Sequence, residues 1–591
     1  MFRTFEEKRR GRLASEYGER WNPVPGGLRV ALVYPNTYPV GMSNLGFQTI
    51  YHLLNLRSDI SCERVFLPDR EEREKTGNVR ELYRSLESGS LLASFDVLAF
   101  SVSFELDYVH LAEILVGGAV PPLREERRPG RDPQVWIGGV AVTLNPEPIA
   151  DFADLIFVGE GEELLPEVLD RIAGVSASSF PPTDEIFPVL RNLPGVYIPS
   201  AYTFNFDSYG RISRVEPSPG FPERISRRRI TDLSRFPTVS RILTPETELN
   251  DMFLIELDRG CGRHCRFCAA GYLYRPPRFR PLSAVLESVR AGLTLSDRIG
   301  LVGTAVSDYP YMEGLLKSLR RQGAGISVSS LRADSLTPTL LDALVESGHK
   351  TVTLAPEGGS RRMRDRMNKD LTEETILGAA KRVFAAGVLN LKLYFMVGLP
   401  FEEESDIHAI VELVRKMKKV QLDEGKPRGR IGRITVSLNC FVPKPATPFQ
   451  WFPMNKKDAL TNKIGYIKKN LRREGNITVI HDLPKWAIIQ GMFARGDRRL
   501  SALILSVVRD RGNWSRVLRR DPLGAGDWPF RPREREEIFP WDIVGEGCRR
   551  DYLFREYERA NTGSYTPPCP EDLRCGRCGV CRGPEETEAE E

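Results

Sequence analysis

The sequence predicts an α/β protein with two parallel-sheet units in series, on three observations. Short apolar runs alternate with helix-like stretches from about residue 28 to 169, the same alternation returns from about 252 to 452, and several runs of the first block end in glycine or proline turns. At 591 residues the chain exceeds what one hydrophobic core organises, so two to four domains are expected.

In the first block the expected strands are 30–34, 64–67, 97–102, 135–137 and 155–158, which together read as a doubly wound, Rossmann-like sheet within residues 1–179. Such sheets bind ligands at the carboxyl ends of their strands, here Pro35-Asn36-Thr37, Gly138-Gly139 and Gly159-Glu160-Gly161-Glu162. Glycines there permit close backbone approach, or simply terminate strands. A proline-rich connector, 180–250, follows, with an expected hairpin pairing 196–202 with 212–215 across Ser208-Tyr209-Gly210. The second block, 251–455, offers strands at 253–257, 298–302, 326–329, 351–354, 391–396 and 434–438. Six βα units in series suit a partial (β/α)6 barrel. Residues 456–565 read as a small mixed C-terminal domain, and 566–591 as a cysteine-rich segment with an acidic tail expected to be disordered. No fixed-period repeat is present.

Composition narrows the function classes. Hydrophobic residues make up 41% and charged residues 28%, ordinary values for a water-soluble chain, and no run of about 18 apolar residues exists to span a bilayer. The charged N-terminus lacks the apolar core of a signal peptide, which predicts a cytoplasmic, reducing location. The net charge of +5, from 84 basic and 79 acidic residues, is too small an excess to argue for nucleic acid. Arg227-Arg228-Arg229 reads as a solvated turn, with phosphate binding as the alternative. Seven of the ten cysteines fall in two clusters, which in a reducing compartment points to metal ligands rather than disulfides.

The first cluster directly follows an expected strand: Asp258-Arg-Gly-Cys261-Gly-Arg-His-Cys265-Arg-Phe-Cys268. A CxxxCxxC spacing lets three soft thiolates converge from one loop. On a four-iron cube it leaves one iron without a protein ligand, free to hold a small molecule. A zinc site completed by a distant fourth cysteine, or unrelated core cysteines, are the alternatives.

This motif resembles that of the radical S-adenosylmethionine (SAM) superfamily. The resemblance implies a [4Fe-4S] cluster on Cys261, Cys265 and Cys268, with SAM chelated at the open iron. Phe267 would touch the adenine, and His264 would be a loop residue rather than a ligand. It extends through the barrel, where Gly303–Asp308 resembles the family's SAM amino-group segment and nominates Ser307 and Asp308, without the common Gly-Gly-Glu. Ser330, Arg332 and Glu357 are nominated for the ribose and carboxylate, a structural hydrogen bond or ion pair being the alternative. Gly398, in Lys392–Pro400, would help to frame the adenine; Cys440 reads as packing. The implied chemistry is one-electron reduction of the cluster, homolysis of the SAM sulfur–C5' bond and hydrogen abstraction by the 5'-deoxyadenosyl radical, in a water-poor barrel.

A doubly wound domain ahead of such a barrel resembles the cobalamin (B12)-dependent subclass. The matching residues are Val30–Pro35, Gly41, Gly46, Gly138-Gly139, Asn145–Pro148 and Asp154–Glu162, so Pro35, Gly138, Gly139, Gly159, Glu160 and Gly161 become expected cofactor contacts. The DxHxxG motif that gives cobalt a histidine in many cobalamin proteins is absent. Asp406-Ile-His408 lacks its glycine and His110 follows Asp107 at the wrong spacing, which leaves the lower axial position unassigned. The resemblance is to an uncharacterised group of such fused proteins, marked by Pro35–Ser43, Ala355–Gly359 and Arg495–Leu500, and no substrate comes with it. The implied reaction is methylation of an unactivated carbon, with ring closure or rearrangement as further chemistry of the subclass.

Near the end, Cys569, Cys575, Cys578 and Cys581 form a second metal signature, suited to zinc or to a second, fully ligated iron–sulfur cluster. Cys548 and Cys62 read as packing residues. Arg495-Gly496-Asp497-Arg498-Arg499 is a charged turn that would either recognise an anionic substrate or tie down a helix start; Trp514, Trp528 and Trp541 read as core. Three function classes stay in play: a cobalamin-dependent radical SAM methyltransferase, a cobalamin-independent radical SAM enzyme modifying tRNA or a ribosomal protein, and a zinc-dependent nucleic-acid-binding protein. Both enzyme readings call for an electron donor such as flavodoxin or ferredoxin.

Overall fold

The computed structural model describes residues 5–581 apart from 22, 76–78, 176–179, 248, 250–251 and 546. The acidic tail, 584–591, lies outside the described residues.

The N-terminal unit is built on strands β1 (Leu28–Tyr34), β2 (Ile60–Phe66), β3 (Val97–Ser101), β4 (Gln134–Gly138) and β5 (Leu155–Phe157). They are largely buried, and β2 is buried along its whole length although it carries Ser61, Glu63 and Arg64, because helices cover a parallel sheet on both sides. The spatial order is β2-β1-β3-β4-β5, all parallel, with a short β6 (Val196–Tyr197) antiparallel at the far edge. That doubly wound order reverses between β1 and β3, where a crevice opens at the strands' carboxyl ends. The helix Leu45–Asn55 that follows β1 starts on Asn44, whose side chain accepts from the Phe47 amide at 2.9 Å.

The expected hairpin is shifted. Its strands are β7 (Tyr202–Phe206) and β8 (Ile212–Pro217), while 196–197, expected to be part of it, joins the N-terminal sheet. Pro199, which has no N–H to give a ladder, opens a single 3-10 turn at Pro199–Ala201 and separates the two.

The second unit has β9 (Phe253–Glu256), β10 (Arg298–Val302) and β11 (Gly325–Val328) in one parallel sheet. A second parallel sheet holds β12 (Thr351–Glu357), β13 (Asn390–Val397), β14 (Ile434–Cys440) and β15 (Ile477–His481). A parallel bridge between Leu331 and Leu354 joins the sheets into a partial barrel. The seventh strand, β15, was not expected: it is a short run, Ile477-Thr-Val-Ile-His481, half-exposed on both faces, in a stretch read as a separate C-terminal domain.

Residues 456–565 serve three neighbours. The helix Lys457–Leu471 and β15 extend the barrel, with Leu460, Ile464, Ile467 and Leu471 in its core. Ile489, Phe493, Leu500, Ile504 and Trp514 pack into the core of the N-terminal unit. The helix Arg550–Thr562 lies on the cysteine loop. Arg495, 1% exposed, donates to the carbonyls of Phe452 and Arg531, and Arg498 meets the fully buried Glu147 at 2.8 Å, so this charged turn is the structural one. No helix among the described residues is long and apolar enough to cross a membrane.

Gly159 shows how tightly the connector is laid down. It has φ +112°, and a Cβ added there would stand 2.1 Å from the Arg228 carbonyl oxygen. Gly159→Ala is expected to destabilise the N-terminal unit by about 1–3 kcal/mol through strain at this backbone conformation. Thermal unfolding should show the loss, and an unchanged midpoint would mean that the connector is not packed this way.

Candidate functional site

The loop after β9 is fixed from below by Asp258, which is 1% exposed. Its Oδ1 accepts from the Thr304 amide at 2.8 Å and the Ala305 amide at 3.3 Å, tying the cysteine loop to the segment after β10. Oδ2 has no partner and stands where a Cβ on Gly303 would be, at 2.2 Å. Burial pushes this carboxyl up to about 7, against the two amides that favour its charge. Because the folded form holds the proton more tightly, this group's stabilising contribution is present below the ordinary aspartate range, near pH 4, and is lost as pH rises to about 7. Asp258→Asn is therefore expected to flatten the fall in stability between pH 4 and 7 by roughly 2–4 kcal/mol. Denaturation midpoints across that range measure it, and parallel curves for both proteins would refute it.

From this base the loop presents Cys261 and Cys268, both half-buried, and Cys265, buried. Burial, then the charges of Cys265 and Cys268, push the Cys261 thiol up to about 12. Three thiols that feel one another's charge suit a metal cluster that takes them as thiolates. A cube uses a separate iron for each cysteine. Among the described residues no three His, Cys, Asp or Glu side chains are gathered to hold a single metal ion. Arg332 lies within the charge field of Cys265, and Lys369 within that of Cys268, which offsets the negative charge of a thiolate-held cluster.

Of the nominated SAM residues, Ser307, Asp308, Ser330 and Arg332 follow β10 and β11 and Glu357 ends β12; Asp308, Arg332 and Glu357 come up to this loop. Arg263 donates to both carboxylate oxygens of Asp308 at 2.9 Å, while Ser335 donates to Ser307 at 2.8 Å. Arg332 is clamped on Asp334 at 2.9 and 3.0 Å. Glu357 stands 3.7 Å from Lys369, whose ammonium lies 5.9 Å from the centre of the Phe267 ring; burial, opposed by Lys369, raises the Glu357 carboxyl. Phe267 packs against Met363, Met367, Met396, Leu399, Phe441 and Phe449. That apolar patch includes the carboxyl end of β13, where Gly398 turns the chain with φ +81° and donates to Glu402 at 2.9 Å. Ser330 is exposed beyond β11.

At the N-terminal unit, the Pro35 carbonyl lies 3.1 Å from His110 Nδ1, and Asn36 donates to Asp107 at 2.9 Å. Gly138 is half-buried, and Gly139, at φ +115°, lets the chain pass where a Cβ would be 2.3 Å from the Val102 carbonyl oxygen. The Gly159-Glu160-Gly161 turn has other partners. Gly159 lies under the connector, Glu160 is held by Arg278 (2.7 and 2.8 Å), and a Cβ on Gly161 would lie 3.1 Å from Ile50. Beyond β3, the buried Glu105 pairs with Lys444, from the segment after β14, and accepts from Gln490 at 3.0 Å. The carboxyl edge of the N-terminal sheet thus faces the barrel.

Sequence reasoning missed how the cysteine loop is held. Arg266, 0% exposed, donates to Glu556 at 3.1 Å and to the carbonyls of Asp365, Arg366 and Ser564. Asn368 exchanges hydrogen bonds with the Thr566 backbone at 2.8 and 2.9 Å. The Cys569 amide donates to the Gly262 carbonyl at 2.9 Å, and its sulfur lies 3.4 Å from His264 Nε2. Cys569 therefore lies against the first loop, and Cys581 feels the charges of Cys578, Cys569 and Cys575. Cys440 is buried in the barrel core, as expected of packing.

Comparison with known proteins adds two family matches. Residues 255–414 match the radical SAM superfamily, and residues 46–199 the N-terminal domain of radical SAM proteins. An uncharacterized protein of Methanocaldococcus jannaschii, MJ0966, is 30% identical over 478 residues, 80% of this chain and 89% of that one. A tRNA-2-methylthio-N(6)-dimethylallyladenosine synthase of Chlorobium phaeovibrioides is 28% identical over 191 residues, 30% of this chain and 42% of the synthase. Among solved structures, the cobalamin-dependent SAM radical enzyme OxsB aligns over 93% of this chain and 82% of its own, at 13% identity and TM-score 0.44. The radical SAM methyltransferase TsrM of Kitasatospora setae aligns over 69% and 72%, at 14% identity and TM-score 0.45.

Proposed function

Since the chain belongs to the radical SAM superfamily, we propose that its barrel cleaves SAM reductively on a [4Fe-4S] cluster held by Cys261, Cys265 and Cys268, and that its N-terminal sheet carries cobalamin for methylation of an unactivated carbon. The observation that carries the first part is the meeting of the three-thiol loop with polar residues after β10 and β11 and at the end of β12. When bound, the cluster and SAM supply a one-electron cleavage that yields a 5'-deoxyadenosyl radical, and cobalamin supplies a methyl carrier.

The chain's own residues bind, orient and seal. Phe267, with Met396 and Leu399 behind it, offers an apolar face for the adenine beside the turn at Gly398. Glu357, Arg332, Asp308, Ser307 and Ser330 offer hydrogen bonds to the ribose and the amino-acid end. Arg263 and Asp334 fix Asp308 and Arg332 in advance, so little ordering remains when SAM arrives. For cobalamin, the support is the β2-β1-β3-β4-β5 order and the Pro35 and Gly138-Gly139 ends at a sheet edge that meets the barrel through Glu105 and Lys444. The Gly159-Glu160-Gly161 turn would wall that crevice, with Glu160 held by Arg278. The four tail cysteines would hold zinc or a second iron–sulfur cluster. A flavodoxin or ferredoxin in the reducing cytoplasm would donate the electron.

Anaerobic reconstitution with iron and sulfide, then SAM and dithionite, should yield 5'-deoxyadenosine; none formed would end the proposal. Protein from cells grown with cobalamin should carry an extractable corrin. Its consistent absence would leave the alternative, a cobalamin-independent tRNA-modifying enzyme, which the partial match to the methylthio synthase favours.

A further inference from the structure

Cys548 was expected to be a packing residue, yet the chain holds it beside Cys578. The backbone enforces this: the Arg549 amide donates to the Cys578 carbonyl at 2.9 Å, and the Arg549 side chain to the Gly576 carbonyl at 2.9 Å. Both cysteines sit in an aromatic nest with Tyr272, Trp451, Phe539, Trp541 and Tyr552.

A second observation concerns Arg275, in the chain just after the first cysteine loop. It is 1% exposed, and neither of its terminal nitrogens has a hydrogen-bond partner. Its charge acts on Cys548, Cys569 and Cys578. A guanidinium buried with unpaired N–H groups is costly unless a compensating anion stands beside it. A metal bound by four thiolates is such an anion, whether zinc or an iron–sulfur cube. Arg577 lies alongside, donating to Cys575 Sγ at 3.2 Å and to the carbonyls of Pro567 and Pro568.

We propose that Cys548 and Cys578 are two of the four thiolates of one metal site, completed by two of Cys569, Cys575 and Cys581, charge-balanced by Arg275 and built against the Cys261–Cys268 loop. This rests on reading the tail cysteines as metal ligands and brings in a thiol from outside the tail, together with the counter-charge. The thiols close on the metal as it binds, since among the described residues none are gathered to single-ion spacing. Through Cys569 on Gly262 and His264, the bound metal fastens residues 569–581 over the first loop.

The test uses the full chain carrying Cys265→Ala, which removes the first cluster, so that remaining metal reports the second site. Zinc, iron and sulfide are assayed per chain, and release to a chelator is followed. One zinc, or iron with matching sulfide, supports the site and tells the two metals apart. Adding Cys548→Ser should speed release by at least about tenfold, while Cys62→Ser, at a buried cysteine far from the site, should not. Should Cys548→Ser fold poorly by circular dichroism, cobalt(II) titration of apo-protein carrying Cys548→Ala should show weaker thiolate-to-cobalt charge-transfer absorption than its Cys548 parent. Unchanged release and unchanged absorption would overturn the role of Cys548. Metal loss on Cys578→Ser would then leave the four-cysteine reading standing, and retention in that variant too would remove both.

Discussion

Cys265→Ala is expected to abolish 5'-deoxyadenosine formation in reconstituted protein and to remove the first cluster's share of the iron–sulfur absorption. Cys265 is the most buried of the three thiols in its loop, and the Arg332 guanidinium lies within its charge field. Without it the cube keeps two protein ligands from this loop, and the cluster loses the three-thiolate frame that leaves a single iron open. Cys440→Ala is the matched control, because it removes a buried thiol from the barrel core and should leave both signals in place. Cleavage of SAM that survived Cys265→Ala would show that the reactive centre is held elsewhere.

The second large effect is structural. Glu556→Ala removes the carboxylate that faces the fully buried Arg266 and also accepts from Thr566 at 2.7 and 2.8 Å. Breaking a buried ion pair from one side costs about 3–5 kcal/mol, because the other charge stays in the interior. Converted to a local opening equilibrium, that is roughly 10²–10⁴-fold faster hydrogen exchange in residues 261–268. Replacing both partners, as Arg266→Met with Glu556→Leu, should recover part of the loss, since no lone charge is then buried. Exchange in this loop that did not change in Glu556→Ala would show that the helix Arg550–Thr562 does not hold it.

Much of this was legible in the sequence, for a physical reason. Three thiols in CxxxCxxC spacing are held together by the covalent chain itself, so their convergence needs no long-range information. The parallel strands were visible because burial on both faces demands apolar runs: β1, β3 and β10 fall where those runs lie. Where a strand is short and half-exposed, as β15 is, or a proline interrupts the pattern, as at Pro199, the expectation slipped.

What only the tertiary structure decided is which distant groups meet. Glu556 answers Arg266 from 290 residues away, Arg278 takes Glu160, the Arg228 backbone occupies the space that Gly159 leaves open, and Cys569 rests on Gly262. Periodicity and spacing report what a segment does with its own neighbours in the chain. The partner of a buried charge, or the backbone that a glycine admits, depends on the path the whole chain takes through space, and that path is set by packing.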